Sequence, residues 1–570
     1  MSATRGDRSL GWLRTPALTL SFALLLLVAA AGPSAAKPAL GPRGWAPGDL
    51  PISLSSAVVT TLLWTAYLLG AFAVVLGLWH GSSRHGSSGG GSGDDRHRSG
   101  AGGWARTGHL LWLRDHPWLL PLALGTIALL TGPIGSADHI NYAAYGRISA
   151  QGGDPYLVPP ITWAAGTDPV TSAVEPPWTL TPSVYGPFST ALQTLSSLVG
   201  QDNLRQTVWL WQLLIVGAWL LVRFMLRLTA VDDLARTRID LLWTANPIVF
   251  GVAVLGAHVD LIATALALGA LLLAARRPWM AGVLLGAAVS SKITYGIVGL
   301  AILWSWRSLG RKPLACRTIA LAVSSLGVFA SLHLWAGPHV FDQLAKGAKG
   351  VSLATALRPV VNLLSAVVAL DTARSVVSVV SVVAFILLAG ALSRLARSRP
   401  TSQQILDARQ TSTPQQTSTP QQTRIARETS ETSDAQGPSA ALEGLGVEQR
   451  QSAMTAGQTQ SAVTATFVLA TAYALAAPYA LPWYSVLTWA TLPLLLATTL
   501  DGILLVQLTV VAMAYVPGRV VAMSPDVESL TLGFRKIVGP LAAWMVWLAI
   551  AGAARRGWSR VPRASRPPAS

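Results

Sequence analysis

Asp138, His258, Asp260 and Lys292 are ionisable side chains set inside or at the edge of apolar sequence. Charges in such places are costly and persist where they pair, reach water or do chemistry. Asp138 directly follows an apolar run, which puts a carboxylate at the rim of a membrane span. A carboxylate held there can act as general base toward a hydroxyl. It can equally start a helix over 139–151 as its N-cap. Lys292 falls in a polar break, Ser290-Ser291-Lys292, between two apolar segments. An amine so placed must snorkel, pair or face a cavity, and a phosphate headgroup suits it. His258 and Asp260 are two residues apart and do not share a helix face. They read either as helix ends meeting interfacial water or as separate binding groups. No second pair with metal-ligand spacing accompanies them. Asp154 and Tyr156, in Gly152-Gly153-Asp154-Pro155-Tyr156, and Tyr185, in Tyr185-Gly186-Pro187, carry turn chemistry. Pro482-Trp483-Tyr484 reads as an interfacial aromatic anchor or as a platform for a sugar ring. No phosphate loop, dinucleotide fingerprint or nucleophile elbow is present. The expectation is therefore an activity with neither metal nor cofactor.

The elements that must position these residues are membrane helices. The chain is 51% hydrophobic and only 12% charged, too few charges for the surface of a water-soluble protein of 570 residues. Many runs approach the about 20 apolar residues that cross a bilayer as a helix. Lipid offers the backbone no hydrogen-bond partner, so helices are the available solution. The net charge of +17 fits basic cytoplasmic loops better than nucleic-acid binding. Cys316 is the single cysteine, which excludes an intramolecular disulfide.

Apolar spans are predicted near 16–36, 57–79, 117–136, 207–229, 240–257, 259–275, 279–291, 294–306, 314–335, 375–396, 461–481, 485–500, 502–517 and 537–553, giving about 12–14 crossings. The first run is read as an uncleaved span although Ala35-Ala36 resembles a signal-peptide end. Residues 1–79 form an N-terminal hairpin, 108–399 a core, and 461–556 the C-terminal helices. The Gly/Ser-rich segment 80–107 holds His80, His85 and His97. The Gln/Thr/Ser-rich segment 400–460 repeats TSTPQQ at 411–416 and 417–422. Both read as disordered cytoplasmic linkers, and 557–570 as a basic cytoplasmic tail. Arg223, Arg227, Arg276, Arg277, Arg307, Arg311, Arg394 and Arg397 mark inner turns, and an even count puts both termini inside. The loop 137–187 holds Asp138, Asp154, Asp168 and Glu175 against Arg147 alone, which places it outside the cytoplasm. Phe188–Gly200 is weakly apolar and is expected along the interface. On this topology Asp138, Asp154, His258, Asp260, Lys292, Lys346, Lys349, Arg358, Trp483 and Tyr484 all fall on the outer side.

Asp138-His-Ile-Asn-Tyr-Ala-Ala-Tyr-Gly146, Gly153-Asp-Pro-Tyr156 and Val184-Tyr-Gly-Pro187 resemble the first outer loop of actinobacterial polyprenol-phosphate-mannose-dependent α-1,6-mannosyltransferases. Ala245-Asn-Pro247 with Gly256-Ala-His-Val-Asp260, then Ser291-Lys292, then Leu481-Pro-Trp-Tyr484 continue that family's order. Val259 departs from it, standing where the family usually has Asn. The resemblance implies the glycosyltransferase C superfamily: a plasma-membrane multi-span bundle with an extracytoplasmic catalytic loop. It implies a polyprenyl-phosphate mannose donor and a glycolipid mannan acceptor, elongated in α-1,6 linkage toward lipomannan and lipoarabinomannan. Asp138 would be the base of an inverting transfer. Lys292, Arg147 and Arg358 would meet the donor phosphate. His139, Asp154, Tyr156, Tyr185, His258, Asp260, Trp483 and Tyr484 would contact substrate. The alternatives are a secondary transporter or lipid-linked sugar flippase, which would also use broken helices and buried ions, or a lipid-linked transferase of another sugar.

Overall fold

The computed structural model describes residues 11–83, 116–347, 350–396 and 447–558. The linker expected over 80–107 lies almost wholly outside them, as do Lys349, the TSTPQQ repeat and the end of the basic tail.

The described residues form an all-helical bundle without named strands. Among the described residues, seven helices are long and apolar enough to cross a membrane. They are α1 (Leu13–Ala30), α2 (Ser56–Trp79), α3 (Leu204–Leu228), α4 (Asp233–Leu255), α5 (Arg311–Ala336), α6 (Leu370–Leu395) and α7 (Pro525–Arg556). Five shorter apolar helices accompany them: Leu119–Leu130, Asp260–Leu273, Pro278–Ser291, Ile293–Ser305 and Thr499–Tyr515. Burial separates two kinds of span. The α4 window is 94% buried, whereas that of α5 is 11% buried. The first is core and the second presents its apolar surface to lipid, which is as good a solvent for Leu as another helix is.

The short and broken helices gather where the polar residues are. Asn246 ends a widened helical turn and caps the next: its Oδ1 accepts from the N–H groups of Ile248 and Val249 while its Nδ2 donates to Leu242 O. Pro247 occupies the first position of the restarted helix, where its missing N–H has no cost. Asn-Pro thus breaks a fully buried helix while leaving the backbone satisfied.

Phe188–Gly200 belongs to a helix that starts at Pro187 and turns its polar face inward. Ser189, Thr190, Gln193, Ser196 and Ser197 are buried, while Leu195, Leu198 and Val199 are exposed. Gly146, on the helix Asp138–Ala150, lies against it so closely that a Cβ would sit 2.2 Å from Gln193 O.

Loops that are remote in sequence share one ionic lock. Lys37 is fully buried, pairs with Asp49 at 2.6 Å and donates to Ala29 O and Ala31 O at the end of α1. Asp49 also receives both terminal nitrogens of Arg205. Arg519 pairs with Glu175 and donates to the carbonyls of Ser34 and Lys37. At other turns, Arg238 and Asp501 form a buried two-toothed pair at 2.6 and 2.7 Å. Residues 447–460 are helical within Val447–Ala476, although their Gln and Thr content reads as linker. Apart from Gly457 that stretch has no strong helix breaker.

Candidate active site

The turn between α4 and Asp260–Leu273 brings the predicted residues together. Ala257 adopts a left-handed conformation at φ 51°, unusual for a residue with a Cβ and characteristic of functional turns. Its carbonyl accepts from Trp211 Nε1 at 2.8 Å. His258 follows, only 1% exposed, with Nδ1 3.4 Å from Asp138 Oδ2. Asp260 Oδ1 takes Lys292 Nζ at 2.6 Å, while its Oδ2 is buried without a partner. One short turn therefore touches the carboxylate through His258 and the cation through Asp260.

Asp138 lies in the first turn of its helix, but the N-cap position belongs to Ala137. The Asp138 backbone N–H is taken by Ser136 Oγ at 3.0 Å, and its side chain makes no cap hydrogen bond. The capping reading is excluded, and the carboxylate is left facing His258.

Lys292 lies between the helices Pro278–Ser291 and Ile293–Ser305, with extended backbone. Its amine is 3.4 Å from the centre of the Tyr484 ring. Burial makes both the ion pair and the cation–π contact stronger than they would be in water. Tyr295 braces Asp260 from behind, donating to its backbone carbonyl at 2.8 Å and meeting Thr264 Oγ1 at 2.7 Å. Asp260, Lys292, Thr294, Tyr295, Tyr473 and Tyr484 line a narrow cleft. Trp483, one residue away, is stacked on the His258 ring with centroids 3.5 Å apart and planes 14° from parallel.

The motif around Tyr185 sets the height of Lys292. Gly186 N–H donates to Ser291 O at 3.1 Å, and a Cβ on Gly186 would lie 2.1 Å from Ser290 O. Gly186→Ala should therefore force the two segments apart and cost about 1–3 kcal/mol, the usual range for overpacking. The check is a lowered melting midpoint of the purified protein in detergent; an unchanged midpoint would show that the contact is not required.

Other predicted residues are engaged in holding the loops. Asp154 Oδ1 accepts from Tyr156 N–H, and Oδ2 lies 2.7 Å from His339 Nδ1. Tyr156 is buried with its hydroxyl 2.8 Å from Thr190 Oγ1. Arg147 pairs with Asp168 at 2.8 Å and with Asp202. Burial alone would raise the Asp168 carboxyl, but the N–H groups of Thr171 and Val170 together with Arg147 bring it below the usual range. His139 is fully buried with both ring nitrogens unpartnered. Burial drives its imidazole down to about 3 against the opposing pull of Asp138, so it is neutral near pH 7. Arg358 donates to Val351 O at 3.4 Å. Tyr185 packs edge-on to Tyr142 at 4.9 Å. The acidic surplus of the 137–187 loop is thus met by cationic or imidazole partners at Asp154, Asp168, Glu175 and Asp138 alike. Among the described residues, no group of three His, Cys, Asp or Glu is placed to hold a metal ion.

Sequence reasoning missed Tyr142, Trp211, Tyr295 and Tyr473. Tyr295 had a signal, three residues beyond Lys292 in Lys292-Ile-Thr-Tyr295. Trp211 had none, since a tryptophan within an apolar span reads as core.

The comparisons with known proteins follow the same residues. The family model described as Alpha-(1->6)-mannopyranosyltransferase, N-terminal domain, matches residues 16–308. The chain belongs to this family. That match includes Asp138, His258, Asp260 and Lys292; Trp483 and Tyr484 lie beyond it. The chain is 31% identical over 232 residues to Alpha-(1->6)-mannopyranosyltransferase A of Mycobacterium tuberculosis, covering 39% of this chain and 43% of that protein. It is 28% identical over 290 residues to a Mycolicibacterium smegmatis protein named "Probable alpha-(1->6)-mannopyranosyltransferase", covering 41% of this chain and 51% of that one. The chain thus spans about half or less of the length of these two relatives. No solved structure matches it significantly.

Proposed function

We propose that this family member is a membrane mannosyltransferase that moves mannose from polyprenyl-phosphate mannose to a mannan acceptor in α-1,6 linkage. The relatives' names supply the sugar and the linkage. The observation that carries the reading is the shared turn, which touches a carboxylate through His258 and an amine through Asp260. Transfer from a lipid phosphate needs these two groups near one another: a base for the acceptor and a cation for the leaving group.

In the proposed reaction Asp138 accepts the proton of the acceptor hydroxyl. The hydroxyl oxygen forms the new bond to the mannose anomeric carbon from the face opposite the phosphate, so the configuration inverts. The bond from that carbon to the phosphate oxygen breaks, and its electron pair leaves with the polyprenyl phosphate. Lys292 holds the departing anion. The free Asp260 Oδ2 accepts a sugar hydroxyl. The site faces away from the cytoplasm, where the acidic loop 137–187 belongs, and both termini are cytoplasmic. Lipid-borne donor then reaches the site from within the bilayer, in keeping with the absence of a nucleotide-binding motif from the sequence.

The test is to incubate membranes containing the protein with radiolabelled polyprenyl-phosphate mannose and a short α-1,6-mannoside, then to determine the linkage formed. Labelled product with a new α-1,6 bond is expected. No transfer beside an active control would favour the transporter reading instead.

A further inference from the structure

Trp483 is the residue a sugar-binding reading would spend on substrate, yet its ring face is already occupied by His258. Trp483 is 9% exposed and His258 1%, so the pair is a buried unit. From this we infer that His258 and Trp483 are positioning residues for Asp138, acting through the His258 Nδ1 atom rather than through sugar contact. The inference rests on Asp138 being the base of the proposed transfer.

Three constraints converge on that nitrogen. The backbone bearing His258 is held from behind by the Trp211 bond to Ala257 O and by the left-handed turn at Ala257. The ring plane is set by face-to-face stacking on Trp483. Nδ1 then points at Asp138 Oδ2 from 3.4 Å and has no other partner. The contact is longer and less aligned than a hydrogen bond, as catalytic contacts often are before substrate arrives. A buried donor with a single acceptor in reach tightens on that acceptor or remains unsatisfied, and unsatisfied donors are costly. When Asp138 approaches its substrate, Nδ1–H fixes which carboxylate oxygen is held and which is free to take the proton. His258 touches no reacting atom in this scheme.

The atom assignment makes the inference testable with isosteres. The Asn amide nitrogen takes the place of His Nδ1, whereas the Gln amide nitrogen takes the place of Nε2. His258→Asn should therefore keep more activity than His258→Gln. His258→Gln and His258→Ala should lose about 100-fold in kcat, the scale of a misplaced catalytic group, with KM for donor and acceptor little changed. Trp483→Phe keeps a stacking face and should lose less kcat than Trp483→Leu, which should fall with the His258 variants. Each variant is compared at matched melting midpoint in the same detergent. Equal losses for His258→Asn and His258→Gln would overturn the role of Nδ1. A rise in acceptor KM with kcat preserved in Trp483→Leu would overturn positioning in favour of sugar contact. If His258 variants do not fold, the Trp483 pair alone decides. Failure of the wild-type protein to transfer mannose would instead overturn the mannosyltransferase reading itself, so the two outcomes are distinct.

Discussion

Asp138→Asn should bring transfer close to background while leaving the protein folded. The substitution keeps the shape of the side chain and removes its basic lone pair. His258 Nδ1 still finds an oxygen acceptor in the Asn amide, so the turn at 256–260 loses little of its support. The Asp138 backbone N–H remains bound to Ser136 Oγ, and no cap is lost because Ala137 holds that position. A lost general base costs about 10²- to 10⁴-fold, and the loss should fall on kcat. Asp138→Glu should restore part of it, since a longer carboxylate keeps the basicity and loses the alignment with His258. The measurement is initial-rate transfer from radiolabelled donor, with the melting midpoint followed in parallel. Near-normal rates in the Asn variant would remove Asp138 from the mechanism.

Lys292→Met should have the second large effect. Removing one preorganised charge from a site that stabilises a departing anion costs about 10²- to 10³-fold. The change also strands Asp260, which is buried with one oxygen already unpartnered. Breaking a buried pair from one side costs about 3–5 kcal/mol of stability, so the variant is compared with Lys292→Met/Asp260→Asn, which removes the orphaned charge. If Lys292 serves only to neutralise Asp260, the double variant recovers stability and transfers as fast as Asp260→Asn alone. If it serves the phosphate, stability returns and activity does not; that second pattern is expected. Lys292→Arg should retain part of the rate, because the charge survives but the larger planar guanidinium does not reproduce the compact amine's 2.6 Å contact with Asp260 Oδ1.

Much of this arrangement was legible in the chain. Apolar run lengths located most of the helices, because lipid forces every span to satisfy its own backbone; the span expected at 485–500 is instead a six-residue helix, Val486–Thr491, between two short turns. The cost of a charge in apolar sequence singled out Asp138, His258, Asp260 and Lys292, and the structure brings these four to one turn and its neighbours. What the sequence obscured was which partner each polar group would choose. Asp138 as cap and Asp138 as free carboxylate give the same pattern of residues; only the backbone at Ala137 separates them. Arg147 looks like an available cation until Asp168 and Asp202 claim it. Trp483 looks like a sugar platform in sequence, which does not show that one face of its ring lies against His258. Arg519 carries no signal in the sequence, since its partners Glu175, Ser34 and Lys37 lie hundreds of residues away. Long-range pairing of this kind has no local signature.

Arg519 has a consequence for how the molecule is made. Its guanidinium joins the turn at Ser34–Lys37 to Glu175, although those segments leave the ribosome long before residue 519 does. The first loop synthesised must wait through the insertion of most later spans for the group that completes its contacts. Assembly of this side of the protein is therefore a late event in biogenesis. A chain stalled before residue 519 would hold the turn at Ser34–Lys37 by its two backbone hydrogen bonds alone, with Glu175 still without its guanidinium.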